Sequence, residues 1–266
     1  MKIFVMVDME GISGITHRKQ VIPGEVCYDE GRQYMTWDIN ACVAGCFEGG
    51  ATEVIVRDAH YKGSNCIWDQ LDGRARYIIG SSGPSGNSRM PGIEDCDGLI
   101  LLGYHAMAGT PAAVLEHTMS SIGWQNFWVN GALAGEIHMD TGYAAHFGVP
   151  VIMVSGDDKA CAEARALLPG IETAEVKQSH SLFGATLLSK PAAHALLRET
   201  TAAAVKRCKE IEPLATTCPT VMRLEQTERS AAINNRNKPW MTVIDGRTAE
   251  VTGDTFYDAF FRVLEV

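Results

Sequence analysis

Lys2–Gly11 reads KIFVMVDMEG, six mostly apolar residues running into Asp8 and Glu10. Three other stretches take the same form. Glu53–His60 is EVIVRDAH, Gly98–His105 is GLILLGYH, and Phe127–Glu136 is FWVNGALAGE. Each is an apolar run of strand length leading to a residue that can ligate a transition metal. Read as parallel strands, the four runs place their carboxyl ends side by side, at the edge where open α/β sheets bind ligands. Asp8, Glu10, His60, His105 and Glu136 then gather there. Two imidazoles and three carboxylates make a metal site for two ions.

Working outward, strand-like and helix-like runs alternate, which predicts an α/β fold with a mostly parallel sheet flanked by helices. Residues 28–49 read as a helix, with Met35, Ile39, Cys42, Val43 and Cys46 as its apolar stripe and Gly49-Gly50 as its stop. A short helix is expected at 65–72, strands at 75–79, 149–154 and 173–177, and a helix at 159–168. Gly80–Gly92 (GSSGPSGNSRMPG) reads as a long surface or rim loop; no GK[ST] follows it, which argues against a phosphate cradle. After Pro191 the pattern changes to an Ala-rich helix (191–211), strands at 219–225, 241–245 and 247–252, and a closing helix (254–264) capped by Asp254. The expected organisation is a metal-binding catalytic domain, residues 1–185, followed by a smaller C-terminal α/β unit, residues 186–266.

Composition narrows the function classes. The chain has 266 residues, 46% hydrophobic and 21% charged, in the range of globular proteins. A net charge of −9 without a basic stripe argues against nucleic acid. No apolar stretch approaches the roughly 20 residues of a spanning helix, so no membrane partner is expected. The N-terminal apolar run is short and interrupted by Asp8, unlike a secretion signal. Eight Cys without a CxxC pair read as buried small hydrophobes of a reducing compartment, so the expected location is cytoplasmic.

Asp8 and Glu10 follow a buried strand and would repel each other unless a cation lies between them. The alternative is a solvated turn. Asp58 is placed to orient the His60 imidazole from behind. His105 lies among Gly103, Ala106, Ala108 and Gly109, a slim backbone that lets a ring approach an ion. Glu136, in a run of Gly and Ala, points its carboxylate at something other than its own neighbours. His138, two residues on, would face away in an extended chain and is not taken as a ligand; His17, His146, His180 and His194 are read as structural. His117, in LEHTMS, is either a surface residue or a general acid/base or oxyanion donor beside the metals. Imidazole and carboxylate without nearby Cys fit zinc, manganese or cobalt, and the chemistry of such a pair of ions is metal-assisted hydrolysis.

These motifs support a family resemblance. MKIFVMVDMEGISGI, RDAH, GYHAMAGT, EHTMS, NGALAGEI, GVPVIMVSGDD and Val176-Lys177 occur in the order seen in the D-aminopeptidases of the dipeptide-transport operon type (the DppA family, metallopeptidase family M55). The chain resembles that family over roughly residues 1–180 and more loosely beyond. The resemblance implies that Asp8, Glu10, His60, His105 and Glu136 bind two zinc ions, Asp8 bridging, and that His117 is the catalytic residue. It implies metal-hydroxide hydrolysis of short peptides, releasing N-terminal D-amino acids. The family role of that His is nucleophile; acid/base or donor chemistry fits better where metal-bound hydroxide can already attack. The resemblance also implies a homo-oligomer, a decamer of two stacked five-membered rings, with Gly80–Gly92 a candidate rim or interface. Two departures bear on substrate range. Met6 stands where the family has Ser, and Tyr61-Lys62-Gly63 follows His60 where the family has small residues. Trp124 and Trp128 are further candidates for shaping the pocket. The rivals are a metal-dependent amidase acting on a non-peptide amide, and a non-catalytic metal-stabilised assembly protein.

Overall fold

The structure, a computed structural model, describes residues 1–81, 89–234 and 237–266. Twelve strands among them form two sheets. In chain order the elements are β1 (Lys2–Val7), α1 (Tyr28–Glu48), β2 (Glu53–Asp58), β3 (Arg76–Ile78), β4 (Gly98–Tyr104), β5 (Trp124–Val129), β6 (Ala132–Leu133), α2 (Glu136–His146), β7 (Val151–Asp157), α3 (Asp158–Leu167), β8 (Glu172–Ser181), β9 (Gly184–Leu187), α4 (Lys190–Lys206), β10 (Thr220–Gln226), α5 (Ala231–Asn234), β11 (Met241–Val243), β12 (Thr248–Gly253) and α6 (Phe256–Leu264). The larger sheet has the order β3-β2-β1-β4-β7-β8-β9, parallel except for the β8–β9 hairpin. The smaller, β11-β12-β10-β5-β6, is antiparallel throughout.

The alternation of β1 divides the core. Ile3, Val5 and Val7 face the stripe of α1 (Met35, Ile39, Cys42, Val43, Cys46) and Leu197 and Val205 of α4. Phe4 and Met6 face a second apolar cluster, which joins Phe127 and Val129 of β5, Ile137 and Tyr143 of α2, and Phe256 and Phe260 of α6. With apolar cover on both faces, β1 and β4 are buried almost end to end, as central parallel strands must be.

The fourth apolar run departs from the expectation. Phe127–Val129 lies not in the parallel sheet but in β5, antiparallel to β10. Its burial alternates along the strand, the mark of a sheet with one wetter face. The parallel sheet therefore carries three of the four runs. The smaller sheet takes strands from both sides of residue 185, and α4 packs against α1 and β8, so sheet membership does not follow the division between 1–185 and 186–266.

Smaller corrections have local causes. The expected helix at 65–72 is a single 3-10 turn, Trp68–Gln70. The last helix is capped by Thr255, not Asp254, because Thr255 and Asp258 satisfy each other's backbone N–H groups in a capping box. Residues 173–177 belong to a longer strand that turns back into β9. Of the Gly80–Gly92 loop, residues 82–88 lie outside the described residues. No helix among the described residues is long and apolar enough to cross a membrane.

Candidate metal centre

Asp8 and Glu10 lie on the turn that leaves β1, and this turn is pressed against β4. The Gly11 N–H donates to the Gly103 carbonyl at 2.8 Å. A Cβ on Gly11 would meet the Tyr104 carbonyl oxygen at 1.9 Å, so only glycine fits there. Behind the turn, the buried Lys177 ammonium donates to the carbonyls of Glu10, Ile12 and Ile15 at 2.6, 2.9 and 2.7 Å. Burial pushes its pKa down to about 8, which leaves it charged at neutral pH. Lys177→Met strands three carbonyls, and a loss of about 3 kcal/mol or more of stability is expected. Denaturant melts check this; a loss below about 1 kcal/mol would show that the turn holds itself.

His60 follows β2 on a loop closed by Asp58, whose carboxylate accepts from the backbone N–H groups of Asn65 and Cys66 and from the Asn65 side chain. Asp58 thus shapes the loop and does not orient the imidazole, contrary to the expectation from sequence. The Val21 carbonyl does so instead, 2.8 Å from His60 Nε2. His105 follows β4, with its Nδ1 2.9 Å from the Ala106 carbonyl. His117 lies on the long loop after β4, its Nδ1 2.9 Å from the Leu115 carbonyl. Leu115 and Met119 flank it with φ of 54° and 57°, left-handed values that side chains of this size rarely adopt. The Met119 N–H donates to Glu136 Oε1 at 2.7 Å, which ties the loop to the start of α2. Glu136 is the first residue of that helix, where the macrodipole favours an anion. It reaches the site as a helix N-terminal acid and not as the end of a parallel strand.

All six residues singled out from the sequence meet in one place. Asp8 Oδ1 and Glu10 Oε2 lie 3.0 and 3.1 Å from His60 Nδ1. Asp8 Oδ2 and Glu136 Oε1 lie 3.3 and 3.2 Å from His105 Nε2. His117 Nε2 is 3.7 Å from the same Glu136 oxygen, and its ring stacks on His105 with centroids 4.0 Å apart. Two triads could each hold a metal ion, Asp8–Glu10–His60 and His105–His117–Glu136, with Asp8 touching both. His138 is elsewhere. It is helical, stacked near Phe256, and pushed down to about 4 by burial.

The donor chemistry calls for cations. A carbonyl only accepts, so the ring nitrogen facing Val21, Ala106 or Leu115 carries a hydrogen. In a neutral ring the other nitrogen is then a bare lone pair, aimed at carboxylate oxygens that are also acceptors. Asp8 Oδ2, Glu10 Oε2 and His105 Nε2 are buried without a hydrogen-bond partner. Such a set is stable with protons or with metal ions between its members. Without metal, burial opposes charge on His60 and His105, but the carboxylates of Glu10 and Glu136 outweigh it and raise both well above the ordinary imidazole range. Burial likewise resists ionisation of Glu136, yet the His105 charge holds it at about 2; His60 holds Glu10 well below its usual range.

Two further groups escaped the sequence reading. Glu163 of α3 accepts from the Met107 N–H at 2.8 Å and braces the loop after His105; burial raises it to about 7. Nothing in KACAEARALL signals this. Asp157 caps α3 through Ala160 and also accepts from Val114 N–H and the Ser179 hydroxyl. Its place in SGDD at the end of a strand was the available cue.

A doubly covered, mostly parallel sheet with a carboxylate–imidazole centre at its carboxyl edge fits the class of metal-dependent hydrolases with an α/β fold. The family model for D-aminopeptidases (Peptidase_M55) matches residues 1–266. The chain belongs to this peptidase family. It is 40% identical over 215 residues to a D-aminopeptidase of Bacillus subtilis (strain 168), covering 80% of this chain and 77% of that one. It superposes on a solved structure of a zinc-dependent D-aminopeptidase, DppA from Bacillus subtilis, a self-compartmentalizing protease. The TM-score is 0.93 at 34% identity, over 99% of this chain and 96% of the other.

Proposed function

We propose that the chain is a zinc-dependent aminopeptidase that releases N-terminal D-amino acids from short peptides. The observation that carries this reading is Asp8, with one oxygen at His60 and the other at His105, between two clusters of facing acceptors. Two zinc ions per chain fit that arrangement. Asp8, Glu10 and His60 would hold one, and Asp8, His105 and Glu136 the other. Zinc, when bound, would supply Lewis acidity toward the scissile carbonyl and would bring the pKa of its bound water down to about 7. Val21 and Ala106 fix the ring orientations that such binding needs, and Lys177 holds the turn that carries two carboxylates. His117 is the residue left to move a proton. Leu115 fixes its Nδ1–H, and its Nε2 faces the centre, where it serves as acid/base or as donor to a developing oxyanion. The ring stacked on His105 also leaves open a ligand role for His117, which its metal content on substitution decides. Tyr61, next to His60 in the chain, is 69% exposed and lines a cavity that holds none of the six centre residues.

A homo-oligomer is proposed by analogy with the self-compartmentalizing relative, in the decameric form of the family. Eight unpaired thiols, six of them buried, support a cytoplasmic location.

Hydrolysis of D-alanyl and L-alanyl p-nitroanilides tests this reading, before and after chelation and zinc restoration. Chelator-sensitive, zinc-restored cleavage of the D substrate is expected. Cleavage of neither by zinc-loaded protein would point to the amidase, then to the assembly protein.

Metal removal has a pH signature. His60 and His105 are raised in the metal-free fold, so their stabilising effect is full below the unfolded value of about 6.5 and is lost as pH rises through the folded values. Zinc displaces those protons, so its own stabilisation grows with pH. The melting temperature of chelated protein should therefore fall from pH 6.5 upward while its gap to zinc-loaded protein widens. A constant gap would show that neither imidazole is a ligand.

A further inference from the structure

Glu163 stands between the two chain segments that carry His105 and Glu136. It projects from α3, and its carboxylate reaches both segments. Oε2 accepts from the N–H of Met107, two residues after His105, at 2.8 Å. Oε1 lies against Gly135, the residue before Glu136. A Cβ built on Gly135 would stand 2.8 Å from that oxygen and 2.6 Å from Met107 Cβ. Met107, Gly135 and Glu163 therefore pack as one knot, which a side chain at position 135 would force open.

The second oxygen is not there for a hydrogen bond. Oε1 is cut off from solvent and has no partner among the described residues. An unpartnered buried acceptor is costly, and the bond to Met107 needs only Oε2. What Oε1 does is occupy the space behind Gly135. It thereby sets how closely the start of α2 approaches the loop after β4. At that spacing Glu136 Oε1 lies 3.2 Å from His105 Nε2. The other cluster has different supports. The turn of Asp8 and Glu10 is held by Gly11 and Lys177, and the His60 ring by Val21.

We propose that Glu163 is a positioning residue for the ion that His105 and Glu136 would hold, a role that rests on the two-ion reading above. It acts through Met107 and Gly135 and not through a hydrogen bond to either ligand. Removing a group that orients metal ligands from behind weakens metal binding by about 10–100-fold. Because the two clusters are braced separately, that loss falls on one ion and spares the other.

Zinc affinities of wild type, Glu163→Ala, Glu163→Gln and Glu136→Ala are measured by competition with a chromophoric chelator at fixed pH. Wild type is expected to take up two ions. Glu163→Ala should bind one of them about tenfold more weakly or worse and the other as wild type does. The weakened ion should be the one that Glu136→Ala loses. Glu163→Gln keeps the reach to Met107 and the bulk beside Gly135, and should hold both ions close to wild-type affinity. Thermal melts of the metal-free proteins separate positioning from folding. Metal-free Glu163→Ala should melt only slightly below wild type, since Met107 is half-buried and its freed N–H can meet water. No weakening in Glu163→Ala, or weakening not confined to the Glu136 ion, would overturn the proposal and leave the two-ion reading standing. So would a Glu163→Gln as weak as Glu163→Ala, because charge and not reach would then matter. A Glu163→Ala that fails to fold without metal would make the residue structural and overturn the proposal too. Wild type that binds fewer than two ions would defeat the two-ion reading, and this role with it.

Discussion

His117→Ala is expected to keep the wild-type zinc content and to lose turnover by about 10²–10⁴-fold, the usual contribution of a positioned acid/base. The imidazole faces the centre through Nε2, 3.7 Å from Glu136, with its other nitrogen tied to Leu115. Its removal deletes the one proton carrier of the site not engaged by Asp8 or Glu10. Stability should change little, because the side chain is only partly buried and its Nδ1 bonds a carbonyl two residues away. Zinc content by atomic absorption, with kcat and KM on a D-alanyl substrate, separates the possible roles. Full activity removes His117 from the mechanism. A drop in zinc by about one ion per chain makes it a ligand of the second triad. A burst of bound product that disappears with the substitution would instead support a nucleophile.

Asp8→Ala should have the larger effect. Among the described residues only the Asp8 side chain lies within ion-pair distance of both His60 and His105, so its loss should open both proposed metal positions together. On the proposed two-ion centre, zinc should fall from about two ions per chain to below one, and activity to that of chelated enzyme. Glu136→Ala, by contrast, touches one triad only and should leave the other loaded. The metal-free Asp8→Ala fold should persist, since its turn is held by Gly11 and Lys177 through backbone contacts that do not involve the carboxylate. Wild-type zinc stoichiometry in this variant would dismantle the bridging assignment.

Much of this centre was legible in the chain because strands announce their ends. In β1, β2 and β4 a run of buried residues stops where the first ligand-type residue begins, and parallel neighbours set those stops side by side. Glu136 was found by its unusual surroundings, although the reason given for its position was wrong. FWV alternates in burial and pairs with β10, nearly a hundred residues away in sequence, and no local pattern reveals a partner at that distance. Asp58 misled for a similar reason. It precedes His60 by two residues, yet in space it faces Asn65 and Cys66, while Val21, thirty-nine residues upstream, meets the ring.

By itself the sequence determined the α/β class, three of the runs that form parallel strands and the six candidate residues that the fold brings together, because alternation, burial and residue chemistry are local properties. Only the tertiary structure decided which oxygen faces which nitrogen, which carbonyls hold the rings, and that Lys177 carries the turn. Those facts arise from contacts between distant segments, whose geometry is set by packing the two sheets and their helices together.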